Sequence, residues 1–222
     1  MIINDENLSN EYNDKCKEYM NYIDTHINNA KLAFKKLFID RQLDWSKLGI
    51  TRERLIPILK QVYQDVQHHD ESKYTDEEFD GYREKWFPTR EEKDRYDKDL
   101  EYAKEVDANA DDAWKHHYRY NDHHPRHWCS IDDSDNIVDK RDMSIVAILH
   151  MLCDWEAMSM YLNPKNDLAT VSWYINNATH EKDEMTGNTR KVVESLLELI
   201  YDTGIPKEED NKEVIDNGKI SV

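Results

Sequence analysis

The sequence predicts an all-α protein, a compact bundle of several helices around one central buried helix at about 143–162. Only five glycines and five prolines occur in 222 residues, too few for the turn-dense composition of all-β folds. The segment 143–162 is apolar nearly all round, as expected of a helix that is buried on every side. We expect a single helical domain over residues 1–206 and an acidic, mobile tail over 207–222.

The first helix is predicted over residues 12–38, where apolar residues keep helical spacing and Ser9 is a plausible N-cap. His26 lies on the apolar side of this pattern. A second helix is expected over residues 57–69, because Pro57 disfavours a straight helix that starts at Thr51. Its apolar stripe continues into His69, so His69 should face the core while the neighbouring His68 turns away.

Two capping-box patterns occur in the middle of the chain. Thr75 with Glu78 predicts the start of a short helix that Pro88 ends, and Thr89 with Glu92 repeats the pattern. The segment 90–112 is charged almost throughout and is interpreted as an insertion lying over the core. Helices are further expected over 113–121, 143–162, 167–177 and 189–202, with an acidic loop over 131–140 and a polar connection before the last helix.

Several histidines and carboxylates lie on or beside the predicted apolar faces. A charged or polar group buried there costs free energy unless it has a partner. Imidazole and carboxylate ligands together suit Zn, Mn, Fe, Co or Ni. In chain order these groups are His26, the doublet His69-Asp70, His117 with His123 or His124, and Asp154 in the central helix.

In this pattern the chain resembles the HD superfamily of metal-dependent phosphohydrolases. That superfamily has a helical histidine, a His-Asp doublet at a helix end that is often followed by lysine, and a distant aspartate. The chain is also similar to an uncharacterised group of bacterial and bacteriophage proteins with three shared segments. These are H-x-D-x-S-K at 68–73, N-x-H-H at 121–124 and C-D-W-x-A-M at 153–158.

The resemblance implies one or two divalent metal ions and hydrolysis of a phosphoester. Asp70 and Lys73 are the expected catalytic residues, and Lys73 would neutralise charge on the phosphate. Substrate contacts are expected from Lys73, His123 and Arg190, the last because helix N-termini attract anions, although an ordinary surface arginine fits Arg190 as well. A second ion would use His117 and His124, and the choice over His116 and His123 stays open. The expected metal ligands are His26, His69, Asp70, His117, His124 and Asp154.

The formal net charge of −17 would repel phosphate backbones and makes polymeric nucleic acid an unsuitable partner. A small phosphorylated molecule, and among these a nucleotide, fits the metal site. Two alternatives remain open: an HD-like di-iron oxygenase that uses the same ligands, and a non-enzymatic acidic protein that imitates DNA. Metal analysis with anaerobic and aerobic assays would separate the two enzyme functions.

The three cysteines form no C-x-x-C pair, which favours a reducing cytoplasm over a disulfide framework. Residues 1–10 lack a signal-peptide pattern, and no membrane association is expected. The oligomeric state is left open, a homo-oligomer included.

Overall fold

The computed structural model describes residues 5–202, and it describes side chains from residue 10 onward. The predicted all-α class is confirmed, because helices dominate and strands form only one small hairpin in this part of the chain. The predicted tail over 207–222 lies outside the described residues. The α-helices are α1 (Asp5–Phe34), α2 (Arg52–Gln67), α3 (Phe79–Trp86), α4 (Arg90–Tyr96), α5 (Leu100–Tyr120), α6 (Ile145–Leu162), α7 (Ala169–Asn176), α8 (Thr179–Glu184) and α9 (Gly187–Tyr201).

The central helix is α6, as the sequence predicts. It begins after Ser144, whose hydroxyl caps the helix by accepting from the backbone N–H of Ala147 at 3.0 Å. The helix packs against α1, α2 and α7. Its 18 residues would also suit a membrane span by length and composition, although no membrane association is expected from the sequence. More than half of those residues are buried inside the fold, as is typical of the core helix of a bundle.

The first two helices begin earlier than predicted. Ser9 lies inside α1 and is not its N-cap, and the chain continues past α1 as a π-helix over Lys35–Asp40. Helix α2 begins at Arg52 and contains Pro57. A proline there removes only the hydrogen bond to the carbonyl of Glu53, and Glu53 is exposed, so water can replace that bond.

The predicted boundary at residue 112 falls inside a helix, because α5 runs without a break from Leu100 to Tyr120. The second capping box is confirmed: Thr89 Oγ1 accepts from the backbone of Glu92, and the Glu92 carboxylate accepts from the backbone of Thr89. The predicted polar connection before α9 contains the short helix α8.

The predicted acidic loop over 131–140 is largely a β-hairpin of β1 (Cys129–Ile131) and antiparallel β2 (Ile137–Lys140). Its turn is held by the Asp132 carboxylate, which accepts from the backbone N–H groups of Ser134 and Asn136 at 2.9 Å each. Aspartates in turns are favoured by such local hydrogen bonds. The acidic residues therefore indicate the turn of the hairpin. The strands beside it are too short to show a recognisable alternation of apolar and polar residues.

Candidate metal centre

The His69-Asp70 doublet lies in the tight turn that follows α2. His68 is the C-cap of the helix and its side chain is exposed, whereas His69 is 1% exposed, so the predicted facing of the two histidines is confirmed. Asp70 has φ 57° and ψ 19°, in the left-handed region. Aspartate tolerates this conformation better than most residues. The turn brings the Asp70 carboxylate back into the interior, where it is 1% exposed.

Four potential ligand atoms converge beside this turn, and we call their residues the first group. Nε2 of His26 is 2.9 Å from Oδ1 of Asp154 and 3.0 Å from Nε2 of His69. Oδ2 of Asp70 is 3.5 Å from both imidazole nitrogens. Nε2 of His69 is also 3.5 Å from Oδ1 of Asp154. The first group therefore consists of His26, His69, Asp70 and Asp154, from α1, the doublet turn and α6.

These separations match the edges of a metal coordination shell. Nitrogen and carboxylate ligands lie about 2.1 Å from a transition-metal ion, so two ligands at 90–109° are roughly 3.0–3.4 Å apart. The five measured separations in the first group span 2.9–3.5 Å. The first group is thus close enough to share one ion without any large movement of the backbone.

A second group forms around the other oxygen of Asp70. Oδ1 of Asp70 is 3.4 Å from Nε2 of His117 and 3.4 Å from Nε2 of His123. One ligand atom from each of Asp70, His117, His123 and His124 lies within 4.8 Å of the others. We call these four residues the second group. Because its two oxygens face different groups, Asp70 has the position of a bridging carboxylate.

The atoms of the second group lack other partners. Oδ1 of Asp70 and the Nε2 atoms of His117, His123 and His124 are buried and have no hydrogen bond to any described residue. Each such unsatisfied buried atom costs about 1–3 kcal/mol. A cation between them would satisfy all four. The donor set therefore fits a metal ion.

Other buried side chains orient these ligands. Nδ1 of His69 is 3.0 Å from Nε2 of His150, the inward histidine one turn before Asp154. Glu78 is fully buried, and its two oxygens accept from Nδ1 of His116 at 2.7 Å and from Nδ1 of His117 at 2.8 Å. Hydrogen bonds of this kind fix the tautomer of a metal-binding histidine. Nε2 of His117 is thereby left to face Asp70.

The role of Glu78 corrects the first predicted capping box. Its carboxylate does not accept from the backbone of Thr75, and Glu78 itself is the N-cap of α3, without a side-chain capping bond. The histidines of α5 bind both of its oxygens instead. Sequence reasoning missed Glu78 because the pattern of threonine followed by glutamate three residues later already had an interpretation.

The histidines of the two groups differ in pKa. Burial acts to lower the pKa of His26, but hydrogen bonds and charge from Asp154 and Asp70 raise it to about 9. Burial, and then the nearby His150, lower the pKa of His123 to about 3. Burial also holds the pKa of His124 well below its usual range. The imidazoles of His123 and His124 are therefore neutral and ready to ligate at neutral pH. Burial acts to lower the pKa of His117 as well, but the charge of Asp70 and hydrogen bonds to Asp70 and Glu78 raise it. A cation in the first group must displace a proton from His26.

A cavity of about 480 Å³ opens onto both groups. Lys73 lines it, with Nζ 2.6 Å from Oδ2 of Asp70. Burial acts to lower the pKa of Lys73, but the charge of Asp70 outweighs it and raises that pKa, so the ammonium stays charged. Most of the remaining lining is aromatic: Tyr19, Tyr22, Tyr82, Trp86, Phe87, Trp114 and Tyr161.

Two residues predicted to bind substrate, His123 and Arg190, do not line the cavity. His123 lies 3.4 Å from Asp70, among the potential ligands of the second group. Arg190 does not line the cavity, and its Nε donates to Glu194 on the same helix at 3.1 Å. The prediction for Arg190 rested on its position in the first turn of α9, but the N-terminus of α9 is already capped by Thr186.

The fold and this site define a helical protein with buried histidine and aspartate groups that could hold metal ions. The chain belongs to the family described as "Family of unknown function (DUF5662)", whose model matches residues 15–199. The comparison with curated proteins found no match. The comparison with solved structures found none either.

Proposed function

We propose that this protein is a metal-dependent phosphohydrolase of the HD type, acting on a small phosphorylated substrate such as a nucleotide. The observation that carries the proposal is the position of Asp70, whose two oxygens face two groups of imidazoles. The residues around each oxygen of Asp70 would hold one ion, and two such ions would serve in-line displacement at phosphorus.

The chain's own residues supply the remaining parts of a phosphoryl-transfer site. His26, His69, Asp70 and Asp154 would hold one ion, and Asp70 with His117, His123 and His124 would hold the other. Such ions activate water as a nucleophile and polarise the phosphoryl oxygen. The ammonium of Lys73 lines the cavity beside Asp70, where it would neutralise charge on the phosphate.

The aromatic cavity favours a substrate with a planar ring, since aromatic side chains stack on such rings. The volume of about 480 Å³ is within the range of small-molecule sites. The three cysteines are free, in keeping with the reducing cytoplasm that we propose as the location.

The same ligand set supports a second candidate function, a di-iron oxygenase. Mixed imidazole and carboxylate ligands suit iron as well as manganese or zinc, and the mainly aromatic cavity would accept an organic substrate. Oxygen consumption by the iron-loaded protein, measured against an anaerobic control, would favour this function. Release of inorganic phosphate under anaerobic conditions would favour the phosphohydrolase.

The test compares His69→Ala with His68→Ala. His69 lies in the first group, whereas the adjacent His68 is exposed and its Nδ1 lies 2.9 Å from Oε1 of Glu71. We expect His69→Ala to lose one equivalent of bound metal and the release of phosphate, and His68→Ala to retain both. Metal content is measured by mass spectrometry after dialysis, and phosphate release over a panel of nucleotides and generic phosphoesters. Equal losses in the two variants would contradict the proposal.

A further inference from the structure

One buried hydroxyl beside the cavity has no assigned role. Tyr19 on α1 is 2% exposed and lines the cavity, and its hydroxyl has no hydrogen-bond partner within the described part of the chain. Its ring is fixed by Phe79 and Phe87, with centroids 5.1 and 5.3 Å away. A buried hydroxyl without a partner costs about 1–3 kcal/mol. A ligand acceptor in the cavity would remove that cost.

The position of Tyr19 along α1 shows which part of a substrate would meet it. Tyr19, Tyr22 and His26 follow one another on the same face of the helix. Tyr22 stacks on the imidazole of His26 with an interplanar angle of 5°. Tyr19 is seven positions before His26, a rise of about 10 Å along the helix axis, and its ring packs on Tyr22 and Phe87 of the aromatic wall. A substrate whose phosphate is bound at the first group would therefore meet the Tyr19 side chain where the substrate's ring lies along that wall.

The charges of the cavity limit the number of phosphates. Among the described residues that line it, Lys73 is the only lysine or arginine, and it already contacts Asp70. Asp70 and Asp154 are the lining carboxylates. A second or third phosphate that extends away from the two metal groups would bring further negative charge to a wall of tyrosine, tryptophan and phenylalanine, which has no lysine or arginine among the described lining residues to neutralise it.

We propose that the cavity recognises a nucleoside monophosphate, with the ring held by the aromatic wall and the Tyr19 hydroxyl donating a hydrogen bond to the nucleoside half. Tyr19 is then a specificity-determining residue. The inference rests on the proposed phosphohydrolase function for the phosphate end of the ligand. Recognition of the nucleoside itself requires neither the phosphate nor a metal ion, so it can be measured separately.

The first measurement is binding of uncharged nucleosides to the full-length protein in the presence of a chelator, by calorimetry or tryptophan fluorescence. Tyr19→Phe removes only the hydroxyl, and we expect nucleoside affinity to fall roughly 3- to 10-fold, the effect of one neutral hydrogen bond. Tyr63→Phe is the matched control, since Tyr63 is 52% exposed and does not line the cavity. Trp86→Ala, at a 63% exposed position on the cavity rim, tests the aromatic wall without disturbing the core.

The second measurement is the ratio of kcat/KM for nucleoside monophosphates to that for glycerol phosphate, which has no ring. We expect Tyr19→Phe to lower this ratio by the same factor as the nucleoside affinity, and Tyr63→Phe to leave it unchanged. Wild-type kcat/KM should be at least about tenfold lower for the corresponding di- and triphosphates.

The two proposals fail in different ways. If no phosphoester is hydrolysed but nucleosides bind in a Tyr19-dependent way, the phosphohydrolase proposal fails and nucleoside recognition stands. If phosphate is released equally well from monophosphates, triphosphates and glycerol phosphate, and Tyr19→Phe matches the wild type, the phosphohydrolase stands and the inference about Tyr19 and the monophosphate is overturned.

Discussion

The role of Glu78 gives the sharpest test of the second metal position. Its carboxylate is fully buried and accepts from His117 at 2.8 Å and from His116 at 2.7 Å. Glutamine at position 78 keeps the size of the side chain but has only one oxygen, so one of the two histidines loses its acceptor. If His117 is the histidine that loses its acceptor, its ring is no longer held in the orientation that points Nε2 towards Asp70.

We expect Glu78→Gln to bind the second metal ion about 10- to 100-fold more weakly than the wild type, the usual effect of removing a carboxylate that orients a metal-binding histidine. This corresponds to about 1.4–2.7 kcal/mol. The first group does not contact Glu78 in the structure, so its affinity should change little. The variant should thus bind one equivalent at free metal concentrations where the wild type binds two.

The assay is equilibrium dialysis of chelator-treated protein against a series of free metal concentrations, with bound metal measured by mass spectrometry. Glu77→Gln is the control. Glu77 is the exposed neighbour of Glu78, and this substitution removes the same charge. Circular dichroism and thermal unfolding establish that both variants are folded. Two equivalents bound by Glu78→Gln with wild-type affinities, or one equivalent bound by the wild type at saturation, would refute the reasoning.

Two further predictions concern stability, both measured by urea unfolding. Gly81→Ala should lower the free energy of unfolding by about 1–3 kcal/mol, because a Cβ there would lie 2.6 Å from the carbonyl oxygen of Asn109. Gly187→Ala, with nothing within 4 Å of the added atom, should be neutral or stabilising by up to about 1 kcal/mol, and equal effects would contradict the packing argument. The buried guanidinium of Arg83 makes two hydrogen bonds to Glu92 and, against the effect of burial, lowers the pKa of Glu92 below its ordinary value of 4.5. That contribution is present above pH 4.5 and is lost as the pH falls through the lowered pKa. Glu92→Gln should therefore be less stable than the wild type by about 1–3 kcal/mol at pH 7, with a smaller difference at pH 3, and a constant difference at both pH values would exclude the ion pair as its cause.

Helical periodicity carried much of the sequence analysis of the site. His26, His69, His117 and Asp154 lie on the apolar sides of their helices in the sequence pattern, and these side chains are turned towards one region of the interior in the structure. A polar residue on an apolar stripe is informative because burial without a partner is costly. The left-handed backbone of Asp70 has no signal of this kind, since it depends on the turn and not on spacing.

Other parts of the site were hidden for specific physical reasons. Histidines 123 and 124 follow the end of α5, where no helical period applies, so the pattern could not decide which one faces Asp70. Tyr19 fits an apolar stripe as well as any core residue does, and only the structure shows that its hydroxyl has no hydrogen-bond partner among the described residues. Residue type and spacing predict which face a side chain lies on, whereas hydrogen-bond partners depend on the approach of distant segments.

The charged segment over 90–112 shows how closely the site depends on a part of the chain that composition assigns to the surface. Helix α5 includes most of this segment and also carries His117 near its C-terminal end. Gly81 lets α3 approach the backbone of α5 at Asn109, two turns before His117. The same approach brings Glu78, at the start of α3, within hydrogen-bonding distance of His117. Because α5 is one continuous helix over these residues, we expect a displacement of its charged part to move His117 relative to Asp70. The charged segment therefore contributes to the position of the second group, although none of its own side chains belongs to that group.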